Sequence, residues 1–213
     1  MNEFINKNIL EYIESNSQLE PILLKELNKE THLKILNPRM LSGSYQGRIL
    51  SLISKIIKPK IVLEIGTYTG YSALCIAEGL DKKGVIDTID INEELQEIQN
   101  KFFKKSGYVN QINQHIGNAL DIIPTINKKF DLVFLDADKE NYINYFELVI
   151  DKINSGGVLI SDNVLWSGKV IENKKNDLTT GKLVEFNNLI NNDKRIETVI
   201  FPVRDGLSIS RKI

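Results

Sequence analysis

The stretch "KIVLEIGTYTGYSAL", residues 60–74, decides how the chain is read. It begins as an apolar strand over 60–65, turns through Gly66 and Gly70, and resumes at helical spacing over 71–80. A strand that runs through a glycine turn into a helix opens a βαβ unit. The alternation continues downstream. Strands are predicted at 60–65, 85–90, 112–116, 131–135 and 157–161, with helices such as 71–80, 92–106 and 140–153 between them. This order predicts a parallel sheet with helices on both faces. The end of the chain differs, because "RIETVIFPV" and "LSISRKI" are joined by "RDG", a hairpin signal. The expected fold class is therefore α/β: a Rossmann-like, doubly wound, mostly parallel sheet that finishes in an antiparallel hairpin.

Upstream of this stretch the pattern is helical. Phe4, Ile5, Ile9, Leu10 and Ile13 recur at helical spacing. "SQLE", Ser17–Glu20, reads as a capping box ahead of Pro21 and a helix that buries Leu23, Leu24 and Leu27. Residues 37–47, "NPRMLSGSYQG", read as a loop, and "RILSLISKII" as a helix ending before Pro59. No linker or repeat divides the chain. The expectation is one domain over 1–213, with a helical extension at 1–58 packed on a core at 59–213.

The composition narrows the function classes. With 213 residues, 42% hydrophobic and 26% charged, the chain can bury a full core. No window approaches the ~18 apolar residues of a membrane span. The N-terminal "MNEFINKNILEYIES" carries acids and does not read as a secretory signal. A net charge of −1 provides no global field for nucleic acid. The lone Cys75, set among apolar residues, excludes an internal disulfide and a multi-cysteine metal site and reads as a packed thiol. His32 and His115 read as surface or hydrogen-bonded histidines. A cytoplasmic protein is the simplest expectation.

Four predicted strands end in an acid: Glu64, Asp90, Asp136 and Asp162. A parallel sheet sets such residues along one edge, where open α/β sheets bind ligands. The turn after the first strand is E-x-G-x-x-x-G (Glu64, Gly66, Gly70), not the G-x-G-x-x-G of dinucleotide folds. A carboxylate there repels a pyrophosphate and suits a cationic ligand. Asp90, at the next strand end, is placed for the two hydroxyls of a ribose. A cationic nucleoside without phosphate satisfies both features, and S-adenosylmethionine is the common one. Asp136 with Asp162 and Asn163 forms an all-oxygen set suited to Mg²⁺ or a similar ion. The competing reading is that "SDN" only caps a turn.

Six blocks occur in order: "VLEIGTYTGYSALCIAEGL", "IDIN", "GNALDIIP", "FDLVFLDADKENY", "GGVLISDNVLWSG" and "FPVRDGLSISRK". In these blocks the chain resembles the cation-dependent O-methyltransferases, the family of caffeoyl-CoA and catechol O-methyltransferases. The resemblance implies that Glu64, Gly66, Thr67, Tyr68 and Ser72 hold the methionine end of S-adenosylmethionine, with Ser42 nearby. It implies Asp90 on the ribose, Ala119 beside the adenine and Asp138 on the cofactor's amino group. Asp136, Asp162 and Asn163 would ligate a divalent cation (Mg²⁺, with Mn²⁺ or Ca²⁺ as alternatives), and Lys139 would be the general base. Met40, Trp166 and Ser167 would face the acceptor. Family members are commonly homodimers. The chain departs from plant members at Ser44–Arg48, "SYQGR" against "ADEGQ", and at Ser167, where they have asparagine.

The expected reaction is methyl transfer to one hydroxyl of a catechol-type vicinal diol. Two alternatives stand beside it. One is a transfer-RNA hydroxyuridine O-methyltransferase, for which Lys55, Lys58, Lys60, Lys128 and Lys129 would form a local phosphate patch. The other is a non-catalytic S-adenosylmethionine-binding module.

Overall fold

A computed structural model describes residues 4–172 and 177–213. Three helices come first: α1 (Lys7–Ser15), α2 (Ile22–Lys34) and α3 (Gly43–Ile57). The alternating region follows as β1 (Ile61–Ile65), α4 (Tyr71–Ala77), β2 (Val85–Asp90), α5 (Gln96–Ser106) and β3 (Ile112–Ile116). It continues through α6 (Ala119–Thr125), β4 (Phe130–Leu135), α7 (Tyr142–Val149) and β5 (Ile153–Ser161). The chain closes with α8 (Leu178–Asn192), β6 (Ile196–Phe201) and β7 (Leu207–Lys212). The seven strands form one sheet in the order β3-β2-β1-β4-β5-β7-β6. The pairs among β1 to β5 are parallel, whereas β7 is antiparallel to both β5 and β6. The doubly wound sheet with an antiparallel end is thus the observed architecture.

Strand alternation divides the core into two layers. Val62, Leu132 and Phe134 face one side, with Leu24, Leu27 and Leu50 of the N-terminal helices and the apolar residues of α4 and α5. Leu63, Val133 and Leu135 face the other, with α6, α7 and α8. α2 and α3 therefore cover the sheet instead of standing apart from it, whereas α1 buries no residue. Among the described residues no helix is long and apolar enough to cross a membrane.

Several local expectations are corrected. The capping box does not form. The Ser17 hydroxyl donates back to the Ile13 carbonyl at 2.6 Å, and α2 starts at Ile22 behind Pro21, with no side-chain cap. Glu20 instead accepts the hydroxyl of the buried Tyr71, which needs an acceptor out of water. Much of the loop expected at 37–47 is helix, because α3 begins at Gly43. Its polar residues Gln46 and Arg48 are buried, and Gly47 lets α3 approach α4 so closely that a Cβ there would lie 2.7 Å from the Tyr71 ring. The helix expected at 140–153 ends at Val149, and β5 begins four residues before the predicted 157. Ile153 pairs with Phe130, and the register then shifts through the Asn-Ser-Gly-Gly segment before Leu132 pairs with Val158.

Leu27 is fully buried against the sheet-facing cluster. Leu27→Ala should cost about 2–5 kcal/mol. If the helical extension and the core are one cooperative unit, urea unfolding will show this as a shift of a single transition. A separate transition for residues 1–58 would contradict that.

Candidate active site

The order 3-2-1-4-5 places the topological switch between β1 and β4, and the crevice beyond their carboxyl ends is where such sheets hold ligands. The backbone there is packed without slack. Gly66 has φ +103°, and a Cβ on it would lie 2.1 Å from the Asp136 carbonyl oxygen. Only glycine meets both conditions. The turn is further held by Gly66 and Thr67, whose amides donate to the Ile89 carbonyl at 2.9 and 3.2 Å.

A recess at this point is lined by Ser42, Gly66, Thr67, Tyr68 and Ser72, together with Met40 and Asp136. Five expected cofactor residues and one expected metal ligand thus share a wall. Glu64 lies beneath them inside β1, paired in register with Thr88 and Phe134. It is fully buried. Its Oε2 accepts from the Thr88 hydroxyl at 2.5 Å, while Oε1 makes no hydrogen bond. Burial pushes the carboxyl up to about 8, Ser72 and Thr88 offset part of this, and the charges of Asp136 and Asp90 add to it. A buried acid with an unsatisfied oxygen fits a ligand that brings positive charge. Asp90 accepts from the Tyr68 amide at 2.6 Å and the Asn92 amide at 2.8 Å. Each carboxylate oxygen retains a lone pair for a further donor. Ala119 opens α6 behind its cap, Asn118. Asp138 is tied into its own turn by Tyr145 (2.6 Å) and Asn141.

Asp136 and Asp162 follow β4 and β5 directly, and their amides extend the sheet by donating to the Ile65 and Leu135 carbonyls, each at 2.9 Å. The Asp162 carboxylate is buried and engaged at both oxygens, by the Asn163 amide and the Gln46 side chain, each at 2.7 Å. Burial, and then the charge of Asp136, push Asp162 up to about 6, against the pull of Lys139 and Arg204. Among the described residues no three His, Cys, Asp or Glu side chains cluster as metal ligands. A cation here would take the Asn163 amide oxygen as its third protein ligand. Two carboxylates that strain each other, plus an amide oxygen, fit a hard divalent ion.

Lys139 donates to Asp136 Oδ1 and to the Tyr142 hydroxyl, both at 2.8 Å. Burial on its own would lower its pKa. Asp136, Tyr142 and Asp162 override it and hold the ammonium above the usual lysine range. The depressed pKa that a lysine base needs is therefore not found in this state.

On the acceptor side, Met40 is 60% exposed at the rim. Trp166 packs on the α6–α8 core layer, and Ser167 is exposed beside it with left-handed φ. A cavity of about 270 Å³, lined by His32, Arg39, Ser42, Tyr45 and Arg204, adjoins the recess through Leu41 and Ser42. His32 hydrogen-bonds Asn28 and His115 bonds Asp87, as expected of non-ligating histidines. Sequence reading gave no role to Gln46, Tyr142, Tyr145, Arg204 or Asp205. Tyr142 and Tyr145 stand next to the "DADK" motif. Nothing local marks Gln46, whose partner Asp162 is 116 residues away.

The unliganded protein should report Glu64 through its stability. Between pH 4.5 and about 8 the folded state keeps a proton that the unfolded chain has lost. Stability then falls as pH rises across that window and levels off above it. Glu64→Gln should remove this component, and urea unfolding at pH 5, 6.5 and 8 will read it as a flatter profile. An unchanged slope would mean that Glu64 is ionised throughout.

Residues 14–213 match the model of the O-methyltransferase family. Caffeoyl-CoA O-methyltransferase 1 of Arabidopsis thaliana is 36% identical over 208 residues, covering 91% of this chain and 79% of that protein. An O-methyltransferase from Bacillus cereus, solved in complex with SAH, superposes with a TM-score of 0.88 at 27% identity, covering 100% of each chain. The SAH-bound Podospora anserina methyltransferase PaMTH1 gives a TM-score of 0.89 at 27% identity, covering 98% of this chain and 97% of its own. By the family match over residues 14–213 and the 36% identity, the chain is a member of the O-methyltransferase family.

Proposed function

We propose that the chain transfers a methyl group from S-adenosylmethionine to one hydroxyl of a catechol-type vicinal diol, with a divalent cation at Asp136, Asp162 and Asn163. The observation that carries this reading is that Asp136 lines the same recess as Gly66, Thr67 and Ser72. The methyl donor and the oxygen-ligand set therefore abut. The Bacillus cereus and Podospora anserina relatives hold SAH, the demethylated form of the donor.

In the transfer, an acceptor oxygen bonds the methyl carbon while the carbon–sulfur bond breaks. Its electron pair stays on sulfur, so the sulfonium becomes a neutral thioether, and the hydroxyl proton leaves to a base. Glu64 holds the cationic donor in place, and Gly66 allows its close approach. Bringing the two reactants into line supplies much of the acceleration, up to ~7–11 kcal/mol for well-oriented groups. A divalent cation at the three oxygen ligands would supply Lewis-acid polarisation of the two adjacent acceptor oxygens. A cation held by Asp136 and Asp162 would offset the anions that hold the Lys139 proton, and burial would then favour the neutral amine, the form a base needs.

The transfer-RNA reading gains nothing from the lysines. Lys60 precedes β1 and Lys128 and Lys129 precede β4, at the opposite edge of the sheet from Asp136 and Asp162. Lys55 and Lys128 are already paired, with Glu78 and Asp87.

Labelled-methyl transfer should be assayed against a catechol panel and against transfer RNA, with and without chelator. The expected result is transfer to catechols that chelator abolishes. Full transfer in excess chelator would refute the metal, and transfer to RNA alone would replace the acceptor. Asp162→Ala should abolish turnover while S-adenosylmethionine binding stays within a few-fold of wild type. Lys139→Ala should slow turnover roughly 10²–10⁴-fold, as loss of a general base does. Near-normal rates at every pH would remove Lys139 from the chemistry.

A further inference from the structure

Among the described residues, six other than glycine have positive φ: Lys58, Tyr68, Asn163, Trp166, Ser167 and Arg204. Lys58 caps α3, and Tyr68 lies in the cofactor turn. The other four fall in two loops that touch, one carrying Asn163 and the other the turn between β6 and β7. The Val164 amide donates to the Gly206 carbonyl at 3.1 Å and the Leu165 amide to the Asp205 carbonyl at 2.9 Å. The Asp205 carboxylate accepts from the Ser167 amide. Gly206 lies so close that a Cβ there would be 2.5 Å from the Leu165 side chain. The hairpin turn is braced against the loop that follows Asp162.

Arg204 is the member of that turn with no backbone reason to be arginine. At φ +49° a glycine would sit without steric cost. Its guanidinium crosses to α3, where Nη1 donates to the Ser42 carbonyl and, at 3.4 Å, to Gln46 Oε1. Gln46 is fully buried, and its Nε2 donates to Asp162 Oδ2 at 2.7 Å. An arginine can only donate and a carboxylate can only accept, so the amide between them has one permitted orientation. Without Arg204, the Gln46 amide could turn over and set its oxygen against the Asp162 carboxylate.

We propose that Arg204 and Gln46 are positioning residues. Arg204 fixes the sense of the Gln46 amide, and Gln46 aims the Asp162 carboxylate at the cation. This rests on the reading of Asp162 as a metal ligand. It goes beyond that reading by assigning the terminal hairpin a part in metal affinity.

The discriminating variant is Arg204→Gly, because it suits the left-handed backbone and removes only the side chain. Mn²⁺ binding, followed by spin resonance of the free ion, is measured together with thermal unfolding of the metal-free protein. The expected result is a Kd for Mn²⁺ at least about tenfold weaker, as for loss of a partner that orients a metal ligand, with Tm not lowered. Gln46→Leu should weaken Mn²⁺ to a similar degree, and the double variant should add little to either. Unchanged Mn²⁺ affinity in Arg204→Gly overturns this proposal alone. A loss of affinity that tracks a fall in Tm also overturns it, since the role would then be structural. A wild-type protein that binds no Mn²⁺ overturns both the metal reading and this one.

Discussion

Parallel pairing of β4 with β5 is the constraint on which the site depends. Leu135 and Ser161 are register partners, so the next residue on each strand, Asp136 and Asp162, emerges at the same edge. β1 pairs with β4 on the other side, and Gly66 meets the Asp136 backbone where the strand order reverses. Antiparallel pairing at any of these steps would send one acid to the far end of the sheet. The chemistry thus follows from strand direction before any side chain is considered.

The second theme is the cost of keeping charge away from water. Glu64 and Asp162 are buried and their carboxyls are pushed up, each with further anions nearby. Lys139 escapes the corresponding fall because Asp136, Tyr142 and Asp162 lie around it. Burial and mutual repulsion both disfavour the ionised carboxyls. Buried carboxyls of this kind are stabilised in their ionised form by any positive charge brought against them.

The third theme is where the backbone is strained. Left-handed residues gather at the cofactor turn, at the loop that carries Asn163 and at the hairpin braced against it. Strained conformations persist only where surrounding structure over-determines them. Around the Asn163 loop the surroundings are two backbone carbonyls and one carboxylate that accept its amides, and a glycine contact, all from the turn between β6 and β7. The antiparallel hairpin therefore does more than complete the sheet.

Much of this was legible in the sequence. The alternation of strand and helix, the E-x-G-x-x-x-G turn and the acids at strand ends are local patterns, since hydrophobic period and turn chemistry act over a few residues. They placed β1 to β4 nearly to the residue and singled out Gly66 and Asp136, while the family resemblance added Met40, Ser42, Thr67, Tyr68 and Ser72 of the recess. The tertiary structure decided what depends on contact between distant segments. It gave Glu20 to Tyr71 instead of to a helix cap, and it made a helix of the polar "GSYQG", whose Gly47 packs against α4. It also linked Arg204 through Gln46 to Asp162, across separations of 158 and 116 residues. No local rule reaches that far, because a buried polar group takes whichever partner the packed fold brings to it.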